Sequence, residues 1–445
     1  MTIARQESAR RNTYYVYNLA SRKDDGLREA SLHKKKVLIL SDHALSTSGV
    51  ATQTRHLVNG LLQKGGWTFR QFGAALKHAN YQTVMVNEDF IIKPIDGFGD
   101  RNLLRSAIVN ERPDAILIFT DPRFFTWLFE MEDEIHQVCP IAWWHVWDNY
   151  PAPEFNRPMY EATDLINCHS YLTYEICKGM FPEKTNFIPH AVPTGIFKSL
   201  PKQEVDAWKL QLLGPERKDH FIAFWNNRNA RRKRPGDVLE SWKIFLDELQ
   251  AKHGHKKATL LMHTDPFDQE GPNLHEVSRM LGISQNVTYS TERIDFDKMN
   301  VLYNVSDVTI NISFAEGFGL STLEAMTIGK PIIALKTGGL TRQVVDHRDG
   351  SENGVALPVE LRTIVGSQSV PYIYEDYVSA ETTAAAIMKI YDLGPEGREA
   401  LGKKAREYVE SEFSMQATID AWHESLSALI ENWREKRKSW TVEAL

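Results

Sequence analysis

Short apolar runs alternate with stretches of helical periodicity along most of the chain. Residues 37 to 41 read as a buried strand, and Val50 to Lys64 follows with apolar positions 57, 58, 61 and 62, the stripe of a helix that covers a core. Ala115 to Phe119 and Pro140 to Val146 are further buried strands. The second half repeats the scheme, with strands at 221–225, 258–263, 287–289, 307–313 and 331–335 separated by helices at 237–250, 273–281, 297–305, 320–328 and 340–347. Such alternation predicts an α/β protein with a parallel sheet covered by helices in each half. Pro189, Pro193, Gly195 and Pro201 punctuate the chain between Pro189 and Lys202 and place a boundary there. The expected units are an N-terminal extension (1–35), a first domain (36–195), a second domain (196–414) and a C-terminal segment (415–445).

A length of 445 residues exceeds one ordinary core and suits two domains of about 150 to 200 residues each. The 42% hydrophobic content is ample for both. No run of about 18 apolar residues is present, and the polar start Met1-Thr-Ile-Ala-Arg-Gln-Glu-Ser8 lacks a signal-peptide core, so the expected location is the cytoplasm. Three cysteines, Cys139, Cys168 and Cys177, without a CxxC spacing, argue against a disulfide framework and a zinc site. A net charge of −6 excludes a generic polyanion binder, although cations cluster at His33 to Lys36, Arg231 to Arg234 and Arg434 to Lys438.

The candidate chemistry sits after two second-half strands. Following Asp307-Val-Thr-Ile-Asn-Ile-Ser313, the turn Glu316-Gly-Phe-Gly-Leu-Ser-Thr-Leu-Glu324 opens a helix. Its glycines let backbone N–H groups approach a ligand, and a helix N-terminus favours anionic oxygens. Following Phe221-Ile-Ala-Phe-Trp225, the loop Asn226-Asn-Arg228-Asn-Ala-Arg-Arg-Lys233-Arg-Pro235 concentrates cations at a strand end, where open α/β sheets bind ligands. Arg228 and Lys233 are spaced to reach around a diphosphate, Arg as a fork and Lys as a point charge.

These segments resemble the retaining GT-B glycosyltransferases, in particular the large family 4 group. Arg228 and Lys233 are similar to its Arg-x4-Lys clamp, and Glu316 to Glu324 to its E-x7-E element. Ile188-Pro-His-Ala-Val-Pro-Thr-Gly-Ile-Phe197 resembles the segment that closes the first domain. Ser48-Gly-Val-Ala51 resembles the first glycine loop, and Ala142-Trp-Trp-His145 the strand end that carries the acceptor-side histidine. The resemblance covers about residues 36 to 430. It implies two Rossmann-like domains with parallel sheets facing across a cleft, and a last helix, for which Met415 to Lys438 is the candidate, crossing back to the first domain.

By the same resemblance the chain is expected to be a hexosyltransferase that moves a sugar from a nucleotide diphosphate to an acceptor hydroxyl, with retention and without a metal or other cofactor. The implied catalytic set is Arg228, Lys233, Glu316 and His145. Gly49, Gly317, Phe318, Gly319, Leu320 and Glu324 are implied to bind the donor, with Glu324 on the ribose. Trp144, Trp147 and Asp148 are weaker acceptor-side candidates. A UDP-sugar is the favoured donor, with GDP- and ADP-sugars open.

Three features depart from the family pattern. Arg342 stands where the family often has a Glu after its Gly-Gly turn, the clamp is embedded in Arg231-Arg-Lys-Arg234, and an insert spans Pro358 to Val378 with Tyr372, Tyr374 and Tyr377. The glycine loop, the strand-end histidine and Thr163-Asp-Leu-Ile-Asn-Cys-His169 are also similar to phage-type enzymes that glucosylate hydroxymethylated DNA bases. Hydroxymethylated DNA therefore stays open as an acceptor beside glycans, lipid-linked sugars and small molecules. Two other classes remain, a nucleotide-sugar epimerase and a non-catalytic sugar-nucleotide binder. Intact Arg228, Lys233, Glu316 and Glu324 argue against the binder.

Overall fold

The computed structural model describes residues 34–75 and 81–436. Residues 1–33 of the N-terminal extension, and 437–445 with the end of the last cation cluster, lie outside the described residues.

The strands of the first half are β1 (Lys35–Asp42), β2 (Trp67–Ala74), β3 (Val84–Asn87), β4 (Phe90–Pro94), β5 (Ala115–Thr120), β6 (Ile141–His145), β7 (Leu165–Cys168) and β8 (Thr185–Phe187). They form one sheet in the order β3-β4-β2-β1-β5-β6-β7-β8. All pairs are parallel except the edge pair β3–β4. The second half contributes β9 (Phe221–Asn226), β10 (Ala258–His263), β11 (Val287–Ser290), β12 (Val308–Asn311), β13 (Ile332–Leu335) and β14 (Gly354–Leu357). These form an all-parallel sheet in the order β11-β10-β9-β12-β13-β14. Strand order reverses beside β1 in one sheet and beside β9 in the other, as in doubly wound nucleotide-binding folds, and ligands bind at the carboxyl edge of such a switch.

The central strands are apolar on both faces because helices cover both. In β1, Leu38 and Leu40 enter one core and Val37 and Ile39 the other. In β9, Phe221, Ala223 and Trp225 pack on one side and Ile222 and Phe224 on the other. The periodicity of 50–64 is realised as the helix Gly49–Lys64, which buries Leu57, Val58 and Leu61. Several elements carry only a weak pattern in the sequence, among them β2, β4, β7 and the helices Arg101–Glu111 and Tyr171–Met180. The expected helix over 340–347 is only a 3-10 turn (Gly338–Leu340) and one short turn (Thr341–Val344).

The helix Met415–Lys436 packs on the first half. Its Trp422 ring lies 4.7 Å from that of Trp144, and Asn167 Nδ2 donates to Ser425 Oγ at 2.7 Å. Gly60 makes this approach feasible, since a Cβ there would sit 2.5 Å from Ile419 Cδ1. The insert forms a hairpin, β15 (Leu361–Val365) and β16 (Ile373–Tyr377). The three cysteines are buried. Among the described residues no helix is long and apolar enough to cross a membrane.

Candidate active site

A cleft of about 1260 Å³ opens between the carboxyl edges of the two sheets, with walls from both halves. On the second-half wall, the turn after β12 carries Glu316, which is 8% exposed and paired with Lys233. Ser313 Oγ donates to the same carboxylate at 3.2 Å, and Arg232 lies 3.8 Å from it. Burial pushes the Glu316 carboxyl up, but Lys233, Arg232 and the Lys233 and Asn311 hydrogen bonds outweigh it and hold the group down at about 2. Glu316 is therefore ionised at neutral pH.

The helix Leu320–Ile328 starts at Gly319, which has φ +92° and offers no side-chain cap. Its first N–H groups have no intrahelical partner and open into the cleft. A side chain at position 319 would be strained in φ and would strike Leu340, its Cβ 2.4 Å from Leu340 Cδ2. Across the cleft the helix Gly49–Lys64 also opens there, but Ser48 caps it by accepting from Ala51 N at 3.1 Å. Eight residues past Glu316, Glu324 lines the cleft and accepts from Tyr303 OH at 2.5 Å. Burial raises its carboxyl to about 7, with the Tyr303 bond opposing.

The first-half wall carries buried aromatic rings together with Asp148, Arg55 and Lys64. His169, one residue past β7, is 2% exposed and its Nδ1 lies 2.7 Å from the His145 carbonyl. A carbonyl can only accept, so Nδ1 carries the proton and Nε2 is left as an acceptor. Nε2 faces the Gly317 turn, where an added Cβ would lie 3.5 Å from it and 2.8 Å from Asp148 Oδ1. Burial takes the His169 ring down to about 3, so it stays neutral. His190 stacks on it at 4.4 Å and contacts Phe318 at 4.9 Å. His190 Nδ1 and Asn227 Nδ2 are buried polar atoms of cleft-lining residues with no partner, which suits a polar ligand.

Lys233, Glu316, Gly317, Phe318, Gly319, Leu320, Glu324, Gly49 and Asp148 all line this one cleft. Four expected residues do not. Arg228 is turned away, 64% exposed and bidentate to Asp268 at 2.7 and 3.1 Å, because the 3-10 turn Arg231–Lys233 aims Arg232 and Lys233 inward instead. His145 is fully buried, its Nε2 2.8 Å from Tyr160 OH and its ring 4.1 Å from Trp143. Trp144 stacks on Phe119 at 4.0 Å beneath the C-terminal helix, and Trp147 packs on Phe155. With both faces of the sheet covered, side chains of β6 enter the cores, and the cleft is reached by Asp148 in the loop beyond it. Arg342 lies over Tyr171 at 4.0 Å, joining the two halves away from the cleft. Local sequence pattern does not single out His169, His190, Arg232 or Asn227. The available signal was position, since each lies at or just beyond a strand end.

Two doubly wound halves that face each other across a ligand-sized cleft define the GT-B class of fold. Residues 230–363 match the family described as Glycosyl transferases group 1. D-inositol 3-phosphate glycosyltransferase 2 of Catenulispora acidiphila is 29% identical over 143 residues, covering 30% of this chain and 33% of that protein. Sulfoquinovosyl transferase SQD2 of Arabidopsis thaliana is 29% identical over 171 residues, 38% of this chain and 29% of that protein. The chain thus spans about a third of the length of the curated relatives it matches. Sucrose-phosphate synthase from Thermosynechococcus elongatus superposes with a TM-score of 0.69 at 17% identity, covering 90% of this chain and 100% of that one. HepE from Anabaena, solved in complex with UDP and glucose, gives 0.65 at 15% identity over 89% and 100% of the two chains.

Proposed function

We propose that the protein is a retaining glycosyltransferase that moves a sugar from a UDP-sugar to a hydroxyl of a sugar or sugar phosphate. The observation that carries this reading is the convergence in one cleft of Lys233, Arg232 and the uncapped start of the Leu320–Ile328 helix beside the ionised Glu316. A departing diphosphate needs positive charge placed where its own charge develops, and two cations with a set of free N–H groups supply it. The same groups can do the work of a metal ion, so metal independence is part of the reading. The solved UDP and glucose complex of HepE and the sugar-phosphate names of other relatives favour the donor and acceptor classes.

In the proposed reaction the bond from the anomeric carbon to the diphosphate oxygen breaks, and the acceptor oxygen bonds the same carbon from the same face. The acceptor proton passes to the leaving phosphate oxygen. Glu316 accepts from a donor-sugar hydroxyl, Glu324 from the ribose, and neutral His169 Nε2 accepts from a hydroxyl on the opposite wall. Asp148 stands on the acceptor side. The test is UDP release from UDP-sugars, with GDP- and ADP-sugars alongside, in the presence of sugar-phosphate acceptors and of hydroxymethylated DNA. Release that is lost in Lys233→Ala supports the reading. Isomerised sugar without UDP release would replace it with an epimerase, and binding without either product would leave a sugar-nucleotide binder.

A further inference from the structure

The hairpin formed by the insert crosses from the second half to the loop that carries Asp148. Asp376, on β16, is fully buried and gathers donors from three segments. Asn149 Nδ2 of the first half donates to its Oδ2 at 2.8 Å, and Thr337 Oγ1, beside the Gly338-Gly339 turn, donates to the same oxygen at 2.7 Å. Arg362 Nε, from β15, donates to Oδ1 at 2.6 Å. Backbone bonds extend the tie. Tyr374 N donates to Tyr150 O at 2.7 Å, Asp376 N to Phe314 O at 2.8 Å, and Asn149 Nδ2 also reaches Tyr374 O at 3.1 Å. Tyr372 adds a ring contact with Phe155 at 5.0 Å.

The junction is tight on the cleft side too. A Cβ at Gly338 would lie 2.0 Å from Glu316 O and 2.6 Å from Asp148 O, so this glycine lets the two cleft-lining residues approach from opposite halves. Gly339 N donates to Glu316 O at 2.8 Å. One buried carboxylate therefore links the neighbour of Asp148 to the neighbour of the turn that seats Glu316.

We propose that Asn149 and Asp376 are positioning residues. The hairpin is an interdomain strap that holds Asp148 in register with the Glu316–Gly319 turn, and thereby aligns acceptor and donor. This rests on the transferase reading above. Reactivity between two bound partners depends steeply on alignment, and a misplacement of about 1 Å can cost about a hundredfold in rate. The donor contacts proposed above, Glu316 and Glu324, lie on the second-half wall, so the strap should act on turnover and not on donor binding.

The experiment compares wild type, Asn149→Ala, Asp376→Asn and the reciprocal double variant Asn149→Asp with Asp376→Asn. Each is measured for steady-state UDP release from UDP-glucose, for UDP affinity by calorimetry, and for hydrogen exchange of the amides in 150–155. In each single variant kcat is expected to fall about ten- to a hundredfold with the donor KM and UDP affinity within about threefold. Exchange in 150–155 should quicken at least about tenfold, and the double variant should recover part of both losses by restoring a donor–acceptor pair. Unchanged exchange in Asn149→Ala, or faster exchange with unchanged kcat, overturns the proposal. If the wild-type protein binds no UDP and releases none, the transferase reading falls, and the exchange rates alone then support or overturn the strap. A variant that fails to fold is recognised by its far-UV spectrum, and Asn149→Ala, which leaves Asp376 with Thr337 and Arg362, then carries the decision.

Discussion

Two helices open on the cleft from opposite walls, and they differ in what they do with their first N–H groups. The helix at Gly49 is capped by Ser48, whose hydroxyl also donates to Asp42 at 2.5 Å. The helix at Leu320 starts from a left-handed glycine and is uncapped. The walls follow suit. The first half presents two buried rings, His169 and His190, both kept neutral by burial, besides Arg55, Lys64 and Asp148, while the second gathers Lys233 and Arg232 about Glu316. A helix whose ends are satisfied by its own chain contributes stability, and one left open contributes a site for an anion. Charge is thus most closely gathered around Glu316 on the second wall.

The largest way to break that contrast is to remove charge from the second wall. Lys233→Ala is expected to lower kcat about a thousandfold, the scale of losing a preorganised group aimed at developing charge, and UDP release from UDP-glucose would measure it. A loss under about tenfold would move the electrostatic burden elsewhere. Next, Arg232→Ala should cost about a hundredfold while Arg228→Ala, whose partner is the exposed-side Asp268, changes turnover only a few-fold. The reverse order would return the clamp to Arg228. Chelation with EDTA should leave turnover unchanged.

Smaller effects sharpen the comparison. With its carboxyl raised to about 7, Glu324 is mostly ionised at pH 8 and mostly protonated at pH 6. Only the ionised form accepts from both ribose hydroxyls, so affinity for UDP-glucose should fall about tenfold from pH 8 to pH 6, and Glu324→Gln should flatten the curve. Calorimetry across that range decides it; a titration that survives in Glu324→Gln belongs to another group. Least of all, Ser48→Ala should cost about 1 kcal/mol of stability, read from denaturant unfolding, because it unmakes a cap. An unchanged midpoint would mean that the first helix, like the second, does not depend on a side-chain cap.

The sequence was most legible where a local pattern coincides with a strand end. The β9 and β12 runs, the Glu316 to Glu324 turn and the helix after Ser48 all stand where the periodicity and glycines place them. Legibility failed where neighbours in sequence face different ways. Arg228 and Arg232 are alike as residues, and only the turn that begins at Arg231 brings the second to the cleft while the first pairs with Asp268. His145 carried the strand-end signal, yet the cleft receives His169 from the adjacent strand, because β6 is covered on both faces. The insert announced itself only through its tyrosines, and its role in joining Asn149 to Thr337 spans 188 positions of sequence.

By itself, then, the sequence determined the α/β alternation and the cationic and glycine-rich turns, since each depends on the order of residues within one strand, helix or loop. The tertiary structure decided which cation points inward, which histidine is in reach, how Asp148 meets the Gly317 turn and which carboxylate ties the halves together. Those outcomes depend on the packing of segments far apart in the chain, where burial and the pairing of hydrogen bonds select one orientation among several that local pattern leaves equal.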